Sequence, residues 1–217
     1  MSEASSNAYD VIRRSIMEGD LLAGQRLREA DLGRLCKVSR TPIREALRRL
    51  ESDGIVSITP NSGAVVTTWK PDELPDLFLV RATLEGMAAQ FAAQRRSEGD
   101  LHALTQLVEA MDEMVTKAGD FPLGDGALAR IANINREFHD TVLSAARSRA
   151  LHDTARRLLD ASVMLRSFTD YDRSALERSC AQHRELTEAI AARDPERACA
   201  VMRAHILAAR GGVLAEE

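Results

Sequence analysis

The stretch VSRTPIREAL, residues 38–47, decides how the rest of the chain is read. Ser39 stands where a helix would begin, with Pro42 in the first turn. Ile43, Leu47 and Leu50 recur at helical spacing and make an apolar stripe; Arg40, Arg44 and Arg48 recur every four residues and make a cationic one. Such a helix packs by the first face and presents the second. The helix is predicted to run from Ser39 to about Asp53, with Gly54 at its C-terminal cap.

Working outward, Glu29 to Cys36 reads as a short helix with Leu32 and Leu35 inward, joined to the arginine helix by the tight connection KVS. Residues 8–19 read as an earlier helix, with Val11, Ile12 and Ile16 on one face and Arg13 and Arg14 on the other. Gly19 and Gly24 break it and leave a turn. Downstream, Ile55, Val56 and Ile58, then Val65, Val66 and Thr67, flank the turn-forming TPNSG and predict a β-hairpin. Three helices and a hairpin within about 70 residues make a winged helix-turn-helix.

From Pro71 onward the pattern is helical throughout. About six helices are expected, over 72–95, 100–117, 124–146, 148–169, 174–192 and 195–213. Ser174 and Glu177 form a capping box, and Asp194-Pro195 places a cap and a first-turn proline. KAGDFPLGDG, residues 117–126, reads as a surface loop. The expected fold class is mainly α. A winged helix-turn-helix domain occupies 1–69 and an all-α antiparallel bundle occupies 70–217, with TTWKPDEL as the junction.

The composition narrows the function. Of the 217 residues 45% are hydrophobic and only 4% aromatic, so the core must be aliphatic. No window approaches a bilayer-spanning run, and the polar start MSEASSNAYD lacks a leader pattern; a cytoplasmic protein with no membrane partner is expected. Cys36, Cys180 and Cys199 form no C-x-x-C pair, which argues against a disulfide framework or a zinc ribbon. The net charge of −4 conceals an asymmetry: residues 26–49 hold eight basic and three acidic residues, a local excess of +5. Local charge governs attraction to a phosphate backbone.

The arginine helix is thus expected to enter the major groove of double-stranded DNA. Arg40, at its N-terminus, has the geometry for a bidentate contact with a guanine. Arg44 and Arg48 fall where phosphates pass, the hydroxyls of Ser39 and Thr41 reach phosphate or base, and Ser62 and Gly63 at the hairpin tip approach the backbone or minor groove.

LREADLGRLCKVSRTPIREALRRLESDGIV followed by NSGAVV resembles the DNA-binding domain of the GntR family of bacterial transcription regulators, across residues 8–69. The helical remainder resembles the FadR-type effector domain of that family, FCD. The resemblance implies a ligand-responsive homodimer on a palindromic operator, and it too places Arg40 on bases and Arg44 and Gly63 near phosphates.

A second constellation lies in the helical half. Asn135 and His139, in NREFH, share one helix face, and His183 and His205 each sit mid-helix among apolar residues at helical spacing. Three imidazoles and an amide oxygen from three helices suit a divalent metal, while a single inward histidine is more often a hydrogen-bonded core residue. The resemblance implies that these four residues bind zinc in the first place, with nickel or manganese as alternatives. It also implies that the family's commoner Asp is replaced here by Asn135. Arg81, four residues before Glu85, reads either as half of a surface ion pair or, by the resemblance, as an arginine turned into the effector cavity to meet a ligand carboxylate. Arg166 is a second candidate for that task.

The function expected is that of a repressor released by a small carboxylate bound at a metal site. The alternative is a metal-dependent enzyme acting on a small acid. No nucleophile elbow, P-loop or dinucleotide fingerprint supports the alternative, and no dedicated general base is evident beside the histidines.

Overall fold

The computed structural model describes residues 2–17, 19–59, 63–117, 124–164 and 173–213. The chain divides into two compact units, Met1–Trp69 with Asp160–Leu165, and Lys70–Leu159 with Arg166–Glu217.

In the first unit, helix α1 spans Glu3–Met17, α2 Glu29–Cys36 and α3 Arg40–Ser52. Helix α1 begins five residues before its expected start. Ser2 caps it: the Ser5 amide donates to the Ser2 hydroxyl at 3.2 Å, and the Ser5 and Ser6 amides donate to the Ser2 carbonyl at 3.1 Å. The added turn brings Ala8 and Tyr9 into the core with Ile12 and Ile16.

The connection between α2 and α3 is tight because Lys37 takes a left-handed conformation, φ 56°, and the Val38 amide closes onto the Gly33 carbonyl at 3.1 Å. Leu32 and Cys36 are buried, four residues apart, but Leu35 is 48% exposed rather than inward. The α2 stripe is one residue narrower than the leucine pair suggested. On α3, Ile43, Ala46, Leu47 and Leu50 are buried, each larger one contributing about 1.5–3 kcal/mol. Tyr9 ties α1 to the end of α3. Its hydroxyl donates to Asp53 at 2.7 Å, and the Arg49 guanidinium lies 3.7 Å over its ring. Burial, then the Asp53 carboxylate, pushes the Tyr9 hydroxyl up to about 12.

The hairpin forms as β2 (Val56–Thr59) and β3 (Gly63–Val66), pairing antiparallel from Val56↔Val66 to Thr59↔Gly63. A strand absent from the sequence reading, β1 (Arg26–Leu27), pairs with the far edge of β3, so the sheet order is β1-β3-β2. Two residues are too short for a readable alternation.

Past Trp69 the chain forms a 3-10 turn, Pro71–Glu73, then α4 (Leu74–Arg95), α5 (Glu98–Lys117), α6 (Asp125–Ala145), α7 (Arg149–Met164), α8 (Arg173–Ala191) and α9 (Pro195–Val213), all in the second unit except the end of α7 from Asp160. These are the six expected helices. The Arg197 amide donates to Asp194 Oδ1 at 3.0 Å, as the Asp-Pro start requires. The described part of α8 begins at Arg173, one residue ahead of the expected start at Ser174. Helix α4 is the core of the bundle, packed against α6, α8 and α9. Its Ala82, Ala88, Ala89, Ala92 and Ala93 are fully buried. Gly86 marks a close crossing: a Cβ there would stand 2.7 Å from Cγ of Arg203 on α9. No helix among the described residues is long and apolar enough to cross a membrane.

Candidate functional site

Helix α3 displays the basic face anticipated for it. Ser39, Arg40, Thr41, Arg44 and Arg48 are all exposed, opposite the buried aliphatic stripe. Ser39 holds the N-cap position by its backbone, but its hydroxyl makes no capping bond. Gly63 opens β3 exposed and at φ 85°, a left-handed conformation that disfavours a side chain. Ser62 lies outside the described residues. One contact was not anticipated. Arg44 Nε donates to both carboxylate oxygens of Glu29, at 2.8 and 3.0 Å, so an acidic residue from the first turn of α2 sits on the basic face. The hydrogen bond and charge of Glu29 raise the Arg44 guanidinium pKa further.

In the second unit, α6, α8 and α9 bring His139, His183 and His205 together, their ligand atoms all within 4.8 Å of one another. All three are buried, at 1%, 0% and 6% exposure. The hydrogen-bond partners suggest an assignment of the ring protons. His139 Nδ1 is 2.6 Å from Glu85 Oε2, and an ionised carboxylate only accepts, so the proton is on Nδ1. His205 Nδ1 is 3.2 Å from Gln182 Oε1, which also accepts. With the protons so placed, each ring turns a bare Nε2 lone pair inward, and these two nitrogens face each other at 3.3 Å. Two lone pairs at that distance repel unless a cation lies beside both.

The remaining donors make the same demand. Among the described residues, both ring nitrogens of His183 are buried with no hydrogen-bond partner, and so is Oδ1 of Asn135, one turn before His139 on α6. Buried polar atoms are rarely left so. Two nitrogens bound to a tetrahedral zinc at about 2.0–2.1 Å stand about 3.4 Å apart, close to the spacing found here. The donor set thus fits a divalent ion.

Electrostatics keep the donors ready. Burial, with the neighbouring imidazoles second, lowers the His183 pKa well below its ordinary value. Burial, then His139, lowers that of His205 to about 3. Both rings stay neutral, as ligation requires. Burial alone would raise the Glu85 carboxyl, but the Arg81 guanidinium and His139 overcome it and hold it at about 2.

Arg81 is not half of a surface ion pair. It is 5% exposed, and its Nε donates to Glu85 Oε1 at 2.8 Å. Glu85, 1% exposed, was the residue missed beside the histidines. Its one sequence signal was a carboxylate set among alanines in RATLEGMAA. Both of its oxygens are engaged, so it is not a free general base. Arg166 lies outside the described residues.

Comparison with known proteins agrees at both ends of the chain. Residues 4–66 match "Bacterial regulatory proteins, gntR family" and residues 76–208 match "FCD domain". The Nta operon transcriptional regulator of Aminobacter aminovorans is 30% identical over 183 residues, covering 84% of this chain and 81% of that protein. The HTH-type transcriptional repressor GlaR of Escherichia coli is 28% identical over 214 residues, covering 95% and 94%. Among solved structures, E. coli McbR/YncC superposes with a TM-score of 0.79 at 22% identity, over 95% of each chain.

Proposed function

The chain belongs to the gntR family of bacterial regulatory proteins, in the branch that carries an FCD domain, and from that premise we propose that it is a repressor released by a small carboxylate. It is a DNA-binding transcription regulator and not an enzyme. Residues 1–69 form the reading domain and 70–217 the effector domain. The protein acts in the cytoplasm, where its operator lies.

Two copies read a palindrome, one half-site each. Arg40 meets a guanine edge, while Arg44, Arg48, Ser39, Thr41 and the wing residues Ser62 and Gly63 hold the backbone. An apolar stripe supports pairing between copies: Leu79, Val80 and Met87 of α4 are 51%, 47% and 42% exposed, and Leu207 of α9 is 37% exposed.

His139, His183 and His205 hold one divalent ion with Asn135, zinc first and nickel or manganese as alternatives. The observation that carries this reading is the facing pair of Nε2 lone pairs beside the unpartnered His183. When bound, the ion supplies a +2 charge that no ligand of this neutral set offsets, and so a site for an anionic oxygen. Arg81 and Arg166 supply further positive charge for the carboxylate.

The test has two parts. Elemental analysis of protein purified without chelator should find one ion per chain. Small carboxylates should then release a purified operator fragment from the metal-loaded protein. Substoichiometric metal that zinc, nickel or manganese cannot restore would remove the metal site; operator retention at every carboxylate tried would remove the effector.

A further inference from the structure

Glu85 lies on α4, the helix packed against the three ligand helices, and is the residue through which Arg81 and His139 meet. Its side chain is 1% exposed and its two oxygens are divided. Oε1 accepts from Arg81 Nε at 2.8 Å, and Oε2 accepts from His139 Nδ1 at 2.6 Å. A buried carboxylate with both oxygens assigned has a fixed orientation, and so have its partners. We propose that Glu85 is a positioning residue: it holds His139 in the tautomer that bares Nε2, and shares its charge between His139 and Arg81.

Two consequences follow from sharing one carboxylate. The more negative charge Glu85 directs at Nδ1–H, the more basic Nε2 becomes as a metal ligand. Arg81 withdraws part of that charge through its own hydrogen bond and its proximity. Glu85 and Arg81 therefore act on the metal site with opposite signs, although they are two halves of one ion pair. A purely structural pair predicts the same sign for both, because removing either half leaves the other buried and unpaired.

The inference rests on the metal reading above, and its test separates the two. The full-length protein is titrated with zinc against a chromophoric chelator, as wild type, Glu85→Gln and Arg81→Gln. An amide at position 85 carries two donors, and turning its NH2 toward His139 forces the proton onto Nε2. Glu85→Gln should weaken zinc about 10–100-fold, the usual consequence of losing such a partner. Arg81→Gln should leave zinc binding unchanged or tighter. Equal weakening in both variants, or no change in Glu85→Gln, overturns the proposal. A nitrogen-15 NMR spectrum of the metal-free wild type tests the tautomer with no substitution. His139 is expected as the Nδ1–H form, and the Nε2–H form overturns the proposal even if Glu85→Gln fails to fold. Should the wild type bind no zinc at all, the metal reading fails and the tautomer measurement still decides the role of Glu85.

Discussion

Arg40 and Arg44 stand one turn apart on the same exposed face, yet they should fail differently when removed. Arg40→Ala is expected to cost about 1–3 kcal/mol of operator binding and to relax preference at one base position, read by binding to a panel of single-base operator variants. An unchanged preference would remove Arg40 from the bases. Arg44→Ala should weaken all sequences alike and lower the salt slope by about one. Its partner Glu29 carries the reverse expectation. With that carboxylate absent from the basic face, Glu29→Gln should bind random-sequence DNA more tightly than the wild type in a fluorescence titration, and equal or weaker binding would count against it. The histidines make a pH prediction. In the unfolded chain an imidazole titrates near 6.5; in the folded chain burial keeps His183 far below that and His205 at about 3. Below pH 6.5 the unfolded chain binds more protons, so stability is fully present above about 6.5 and drains as pH falls toward 3. Glu85, lowered to about 2, adds loss of the same sign at more acid pH. The melting temperature of metal-free protein should therefore fall from pH 7.5 to pH 5, and a level profile would sink the argument. The imidazoles and Arg40 were legible as candidates because their residue type and helical spacing already state their chemistry. Glu85 was not, because RATLE reads identically whether the pair faces water or the core.

The helices were set largely by their own periodicity, and their departures have local causes. Helix α1 gained a turn from Ser2, whose capping bonds depend on two nearby amides rather than on an apolar period. Strand β1 exists because the edge of β3 offers partners to Arg26 and Leu27, and no property of two residues announces that. The crossing of α4 with α9 depends on a missing side chain. Gly86→Ala gains helix propensity of about 1 kcal/mol, so the larger Gly86→Val is the cleaner test. A branched side chain must displace Arg203, since even a Cβ would come within 2.7 Å of its Cγ. Overpacking of this kind costs about 1–3 kcal/mol, read as a lower urea midpoint at unchanged slope. A midpoint equal to the wild type would show that α9 moves aside freely.

For the molecule as a whole, the proposed repression and release make one linkage. If a carboxylate weakens operator binding, operator DNA must weaken carboxylate binding by the same factor, typically about 5–150-fold. Calorimetric titration of the carboxylate into free and operator-bound protein measures that factor, and unequal factors would mean the two ligands act on different species. The sequence by itself determined the helix-turn-helix with its wing, the six helices behind it and the basic face of α3. Each of these is written in a local period, a cap or a run of charge, which neighbours in the chain read out without help. Only the tertiary structure decided that Arg44 is held by Glu29, that β1 completes the sheet, and that Glu85 is buried between Arg81 and His139. It also decided that two Nε2 lone pairs confront each other at 3.3 Å. Those features depend on which faces of distant segments are pressed together and on how few partners a buried charge can find there. Spacing along one helix carries no record of either.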